Sequence, residues 1–104
     1  MGFFRVAVSG ESMAPTLREG DWLIAVRSRR APRAGELVIL RDPADPARLL
    51  VKRVASRQGR RFTVASEAIE HGAHFSPRLA LAPEDVVGRP VLRYAPLHRF
   101  GPVR

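Results

Sequence analysis

The chain contains no cysteine, which excludes a disulfide framework, a cysteine nucleophile and a thiolate metal site. It also lacks an apolar run long enough to span a bilayer, and the apolar start from Phe3 to Val8 is too short for a signal sequence. Its 104 residues suffice for one domain that buries roughly 60 to 70% of its unfolded surface. We therefore expect a single domain over residues 1–104, without a membrane anchor and located in the cytoplasm.

Lysine is almost absent as well: the 18 basic residues comprise seventeen arginines and one lysine, Lys52. Arginine stays protonated at any useful pH, whereas a buried lysine can lose its proton and act as a general base. Lys52 lies in the apolar run 49–55, and to be neutral near pH 7 it needs a pKa lowered by about 3, or about 4 kcal/mol. Lys52 is therefore the candidate base; the alternative is an ordinary strand lysine that points into solvent.

Ser12 is the candidate nucleophile. It follows a β-rich run and a glycine turn at Gly10, and it precedes Pro15, a residue that can open one turn of helix. A serine at such a position can present an exposed hydroxyl and its own backbone N–H to one point. Acyl transfer needs those two groups, an attacking oxygen and a donor to the developing oxyanion. The alternative is that Ser12 only caps a helical turn.

Three blocks of sequence carry a resemblance to a known family. Residues 10–21 read Gly-x-Ser-Met-x-Pro-Thr-Leu-x-x-Gly-Asp, residues 35–39 read Gly-Glu-Leu-Val-Ile, and residues 51–54 read Val-Lys-Arg-Val. In this order they resemble the signal peptidase I family of serine-lysine endopeptidases. The resemblance implies that Ser12 is the nucleophile, with its backbone N–H in the oxyanion hole, that Lys52 is the general base, and that no cofactor or metal is needed.

The resemblance is weaker after Phe62. Residues 82–89, Ala-Pro-Glu-Asp-Val-Val-Gly-Arg, match the last block of the family, but the preceding block departs from it. There Ser76 is the candidate that orients the lysine amine, although the aspartate of the family pattern is missing. Some members also carry a serine two residues before the nucleophile, where this chain has Gly10.

The resemblance further implies a substrate: a protein whose N-terminal leader is cleaved, docked as an added strand beside the Ser12 loop. Gly10, Met13 and Trp22 are the candidate substrate-binding residues, with the core as the alternative place for Met13 and Trp22. Within the family, the compact chain is most similar to the maturation protease of nickel-type superoxide dismutase, so the precursor of that enzyme is the expected partner.

Two other functions stay open. The self-cleaving LexA-like repressors also pair a serine with a lysine on a β-rich fold. A non-catalytic protein that binds a polyanion is the other alternative, because the net charge is +8 and arginines cluster at 27–33 and 57–61. Few aromatic residues accompany these arginines, which argues against nucleic acid as the partner; steering toward an acidic substrate or a membrane surface would use the same charge.

Short β-branched runs between turn residues predict a mostly β fold with at most short helical turns, similar to the coiled, partly barrel-like sheets of signal peptidase and LexA. Residues 42–46 predict a hairpin loop, residues 15–19 a single helical turn, Pro90 an edge strand or a bulge, and residues 95–104 an irregular tail. The strands are predicted at 3–8, 22–27, 36–41, 48–55, 61–66 and 86–94.

The histidines offer a different chemistry that we do not favour. Glu67, His71 and His74 would share one face of a helix and could form a metal set or a histidine triad with Ser12. Gly72 interrupts that helix, and the spacing matches no established zinc signature. We therefore expect solvated loop histidines and no metal site.

Overall fold

The fold of the chain is described by a computed structural model for residues 2–9, 13–28, 30–42, 45–65 and 81–103. These residues form a mostly β structure, as predicted, and their helical content is limited to 3₁₀ turns at Pro83–Asp85 and Leu97–Arg99. The strands are β1 (Phe3–Ala7), β2 (Trp22–Val26), β3 (Leu37–Asp42), β4 (Asp45–Gln58), β5 (Arg61–Ala65), β6 (Val86–Ala95) and β7 (Gly101–Pro102). Within these ranges, no helix is long and apolar enough to cross a membrane.

The strands pair in the order β1-β2-β6-β3-β4-β5, and β7 adds to β6. Every pairing is antiparallel. The described sheet starts at β1 and ends at β5, so it is not closed into a barrel. The predicted hairpin between β3 and β4 is confirmed, with Asp42 opposite Asp45, and β4 begins three residues earlier than the sequence predicts.

Strand β6 holds the sheet together, because it pairs with β2, β3 and β7. This corrects one of the two expectations for Pro90, since β6 is not an edge strand. The other expectation is confirmed: Ile24 pairs with Leu92 and Ala25 with Pro90, which leaves Val91 as an extra residue. A bulge accommodates a residue that has no N–H to give to the ladder.

Residues 95–103 form regular elements where the sequence predicts an irregular tail. Gly101 has a φ of 150°, a value open to glycine, and β7 runs back along Leu92 and Arg93. The Val103 N–H then donates to the Val91 carbonyl at 3.3 Å. Residues 95–103 thus contain a 3₁₀ turn and a short strand where the sequence predicts an irregular tail. Turn residues such as Pro96 and Gly101 mark the reversal of the chain, and a strand of two residues, Gly101–Pro102, gives no periodic signal.

The core lies on both sides of β3, whose residues Leu37–Leu40 are all buried. One face of β3 belongs to a cluster that we call the β5-side core. On the other face, Leu37 belongs to a cluster that we call the loop-side core, and Ile39 to a smaller cluster with Val6 and Ala25. The β5-side core comprises Val38, Leu40, Val54, Phe62, Val64, Leu81 and Val86. The loop-side core comprises Met13, Leu17, Leu23 and Leu37. A strand buried on both faces is continuously apolar, which is why Leu-Val-Ile-Leu occurs here.

Glu36 fastens the segment before β3 to β6. Its carboxylate accepts two hydrogen bonds from Arg30, at 2.9 and 2.6 Å, one from the Arg33 N–H at 2.6 Å and one from Arg89 at 3.2 Å. The Arg30 hydrogen bond is the largest cause that lowers the pKa of Glu36 to about 2. The charged form is therefore favoured by folding.

We predict that Glu36→Gln destabilises the fold at pH 7 by about 1 to 3 kcal/mol, less than the full pKa difference implies because a quarter of the side chain is exposed. In the wild type this contribution is present above the ordinary pKa of 4.5 and is lost as the pH falls through about 2. Urea unfolding between pH 2 and 7 measures both effects. Glu84→Gln, at the exposed Arg60 pair, is the control and should change stability by less than about 0.5 kcal/mol; equal losses in both variants would contradict the prediction.

Candidate active site

Of the predicted site residues, the structure describes Lys52, Met13 and Trp22. Gly10, Ser12 and Ser76 lie outside the described residues, as do Glu67, His71 and His74. The described part of the candidate site therefore comprises Lys52 and the residues of the Ser12 loop from Met13 onward.

Lys52 lies in the middle of β4, directly opposite Val38 of β3, and only 1% of its surface is exposed. Leu50 and Val54 flank it on the same face, since side chains alternate along a strand. Val38 and Val54 belong to the β5-side core, and Leu50 packs against it. The expectation of a lysine surrounded by apolar side chains is confirmed, and a solvent-facing strand lysine is excluded.

This environment lowers the pKa of Lys52 below its ordinary value of 10.5. Burial is the largest cause, because it penalises the charged ammonium form. The positive charge of Arg48 acts in the same direction, whereas the Asp42 carboxylate opposes both. A larger fraction of neutral amine is therefore present at a given pH than in a solvated lysine.

The loop that contains Ser12 connects β1 to β2, and backbone hydrogen bonds close its base. The Val8 N–H donates to the Asp21 carbonyl at 2.8 Å, and the Gly20 N–H donates to the Val8 carbonyl at 3.1 Å. Inside the loop, the Leu17 N–H donates to the Met13 carbonyl at 2.9 Å and closes a turn that is not helical. A hydrogen-bonded turn over Met13–Leu17 thus takes the place of the helical turn predicted at residues 15–19.

Met13 and Trp22 have different environments. Met13 is buried in the loop-side core with Leu17, which makes it a core residue, the second of its two predicted roles. Trp22 begins β2, is 41% exposed and lies 6.4 Å from the Tyr94 ring. The Trp22 ring is therefore exposed at the end of this loop, and Tyr94 beside it is partly buried.

Asp21 anchors the described part of the loop to the C-terminal segment, a contact that the sequence analysis does not predict. Its carboxylate is 1% exposed and accepts the Arg18 N–H at 3.0 Å. Arg99 pairs with it at 3.3 Å and Arg93 at 3.5 Å. Both arginines also donate to the Thr16 carbonyl, at 3.0 Å from Arg93 and 3.4 Å from Arg99. We call this set of contacts the Asp21 clasp.

The sequence contained a partial signal for the Asp21 clasp. A Gly-Asp pair that ends a loop is visible, but its partners lie more than seventy residues away. Seventeen arginines make the choice of partner ambiguous. In the part of the chain that the structure describes, no three acidic or histidine side chains are close enough to hold a metal ion.

The sequence profile of the family described as "Signal peptidase, peptidase S26" matches residues 1–74. The chain belongs to the signal peptidase S26 family. The match includes the Ser12 loop and β1 to β5, so the family-defining part contains both Ser12 and Lys52. The two arginines of the Asp21 clasp come from outside the matched residues.

Among curated proteins, this S26 chain is similar to the "Mitochondrial ATP-independent inner membrane protease subunit 1a" of Arabidopsis thaliana. The two are 31% identical over 100 residues, which is 92% of this chain and 60% of the relative. The chain thus spans less than two thirds of the length of that relative. No solved structure matches this chain.

We predict that Lys52→Met stabilises this S26 domain at pH 7 by about 1 kcal/mol or more, because it removes the cost of a buried ammonium. The lowered pKa gives the sign: the cost is full below the folded-state pKa of Lys52 and disappears as the pH rises toward 10.5. The gap between variant and wild type should therefore shrink at alkaline pH. Thermal unfolding between pH 6 and 10.5 measures it, with Lys52→Arg as a non-titrating control that is less stable than Lys52→Met. A gap that stays constant with pH would contradict the prediction.

We predict that Asp21→Asn destabilises the domain by about 2 to 4 kcal/mol, because two largely buried guanidinium groups lose their carboxylate. Chemical denaturation gives the free energy of unfolding. Glu19→Gln removes an equal charge from an exposed position of the same loop and should cost less than about 0.5 kcal/mol. Equal effects of the two variants would mean that Asp21 contributes only net charge.

Proposed function

We propose that the chain is a serine-lysine endopeptidase of the S26 family that removes an N-terminal leader from a protein. The observation that carries this proposal is the buried Lys52 amine, whose pKa is lowered by an apolar strand environment. Arginine at this position would stay charged, and a solvated lysine would stay protonated at neutral pH. A family member that buries its one lysine among valines and leucines has the base that its chemistry needs.

In the proposed reaction, neutral Lys52 removes the proton of the Ser12 hydroxyl, and the serine oxygen attacks the scissile carbonyl carbon. The Ser12 N–H stabilises the resulting oxyanion. Collapse of the tetrahedral intermediate breaks the C–N bond, and the Lys52 ammonium gives its proton to the leaving amine. Water, deprotonated by Lys52, then hydrolyses the acyl-enzyme and releases Ser12. No cofactor enters this sequence.

The packing of the Ser12 loop supports this assignment. Met13, the next residue after Ser12, packs in a cluster with Leu37 and against Val51. Leu37 and Val51 precede Val38 and Lys52 along their strands. The loop is therefore fastened to the two strands that carry Val38 and Lys52, and Met13 packs on the face of these strands opposite the Lys52 side chain, because side chains alternate along a strand. The Asp21 clasp fixes the other end of this loop.

Other roles rest on the family alone or on exposure. Ser76 is proposed to orient the Lys52 amine. Gly10 would leave room for substrate beside Ser12, and the exposed Trp22 would contact substrate side chains. The precursor of nickel-type superoxide dismutase is the proposed protein substrate. The name of the Arabidopsis relative refers to an inner membrane, which supports peripheral association with a membrane for this chain as well.

The proposal is tested by cleavage of a panel of leader peptides and of the superoxide dismutase precursor from pH 6 to 10. We expect activity that rises as one group deprotonates, and a loss of at least about a thousandfold in both Lys52→Arg and Ser12→Ala. Lys52→Arg is the sharper variant because it keeps the charge and removes only the titration. Activity equal to wild type in Lys52→Arg would refute the base role.

The electrostatic neighbours of Lys52 give a matched pair of controls. Arg48 lowers the pKa of Lys52 and Asp42 raises it. Arg48→Gln should therefore move the rising limb of the pH profile to higher pH, and Asp42→Asn should move it to lower pH, each by a few tenths of a pH unit. Shifts in the same direction would assign the limb to another group. Cleavage of the purified chain at an internal site would favour the LexA-like alternative instead.

A further inference from the structure

The Asp21 clasp reaches the middle of the Ser12 loop as well as its end. Arg93 donates to the Thr16 carbonyl at 3.0 Å, and Arg99 donates to the same oxygen at 3.4 Å. Both guanidinium groups also pair with Asp21. Their side chains are only 12% and 24% exposed, so water competes weakly for these contacts. One carbonyl oxygen of the loop is therefore held by two cations from the end of the described chain.

The Thr16 carbonyl is linked to the residue that follows Ser12. The Thr16 carbonyl and the Leu17 N–H belong to one planar peptide group, because the bond between them has partial double-bond character. The oxygen of this group accepts from the two arginines, and its N–H donates to the Met13 carbonyl at 2.9 Å. Met13 is bonded directly to Ser12. A contact from the C-terminal segment thus reaches Met13 through a single rigid group.

The apolar contacts of this segment serve a different purpose. Met13 and Leu17 are buried in the loop-side core, which holds their side chains against Leu37 and Leu23. Apolar contacts have little directional preference, whereas a hydrogen bond to a carbonyl oxygen favours a defined direction. We therefore assign the position of the loop to the apolar core, and the orientation of its peptide groups to the arginines.

We propose that Arg93 and Arg99 are positioning residues for Ser12, acting through the Thr16–Leu17 peptide group. The proposal rests on the proposed function, because this alignment matters only if Ser12 attacks a carbonyl carbon. A nucleophile displaced by about 1 Å can lose about a hundredfold in rate. Both arginines lie outside residues 1–74, which match the family profile. The segment that contains the nucleophile and the base therefore depends on a later part of the chain for its alignment.

The two arginines act on the nucleophile and not on the base. The causes that shift the pKa of Lys52 are its burial, Arg48 and Asp42, and no residue of the Asp21 clasp is among them. Loss of an arginine contact should therefore lower the rate without moving the pH at which Lys52 loses its proton. The pH profile thus distinguishes a misplaced serine from a disturbed lysine.

The kinetic test compares Arg99→Gln with Arg61→Gln in the leader-peptide assay. The Arg99 side chain takes no part in the strand ladder, and Arg61 is an exposed arginine at the start of β5. In Arg99→Gln we expect kcat to fall at least about tenfold, KM to stay within about threefold, and the rising limb of the pH profile to keep its position. Arg61→Gln removes the same charge and should keep kcat within about twofold.

A conservative variant separates charge from geometry. Arg99→Lys keeps the positive charge but loses the forked donors that reach both Asp21 and the Thr16 carbonyl, so its kcat should lie between those of the wild type and Arg99→Gln. All variants are assayed at a temperature at which their thermal unfolding curves show the folded protein alone.

Backbone order parameters of the ¹⁵N-labelled full chain report on the loop without substrate, so they are informative even where no peptide is cut. In the wild type, the Thr16 and Leu17 amides should have values of about 0.85, as in rigid backbone, and so should Val54 in β4. In Arg99→Gln the two loop values should fall toward about 0.6, while Val54 keeps its value.

The outcomes distinguish this proposal from the proposed function. Wild-type cleavage in Ser12→Ala refutes the proposed function, and the positioning role with it. Equal kcat values in Arg99→Gln and Arg61→Gln overturn the positioning role alone, while the peptidase assignment stands. Unchanged loop order parameters in Arg99→Gln also overturn it, even if kcat falls, because the loss would then not act through the loop.

Discussion

The burial of the Lys52 amine constrains how the strands around it pack. Lys52 is long and polar, yet it occupies a position that a valine or leucine would fill at no electrostatic cost. The surrounding strands must therefore be apolar enough to lower its pKa and well packed enough to tolerate it. Strand β3 meets this demand with four consecutive buried residues, Leu37–Leu40, and it separates the β5-side core from the loop-side core.

The remaining charges show how an arginine-rich chain organises itself around few carboxylates. Glu36 binds Arg30 and Arg89, which are distant in sequence from one another, and Asp21 binds Arg93 and Arg99, which are both distant in sequence from Asp21. Each carboxylate also accepts a backbone N–H, from Arg33 and Arg18 respectively. One acidic residue thus fixes a loop, a strand and the side chains that reach them. The Asp21 contacts fasten the segment before β2, and the Glu36 contacts fasten the segment before β3. Their partners lie in β6 and in the turn that follows it.

Local sequence predicted most of the strands because their signals are local. Apolar, β-branched runs and the Asp-Pro turn between them located β3 and β4, and Pro90 indicated a bulge. The burial of Lys52 was predicted from its chemistry, because it is the single lysine in a sequence whose other basic residues are all arginine. The sequence did not predict features that depend on contacts between distant residues. The path of the chain after Ala95 depends on the contact of Arg99 with Asp21 and on a reversal at Gly101. No window of the sequence contains both partners, so the tail looked irregular.

The Asp21 clasp also has a consequence for the order of events during synthesis. Asp21 and Arg99 are 78 residues apart, so the loop that precedes β2 leaves the ribosome long before its partner does. Until Arg93 and Arg99 emerge, the Asp21 carboxylate has neither guanidinium partner, and the Thr16 carbonyl lacks both of their donors. A nascent chain therefore acquires its finished loop only after β6 and the turn that follows it have been synthesised. In a protein proposed to cut peptide bonds, the loop that contains the candidate nucleophile is thus fixed in place only late in synthesis.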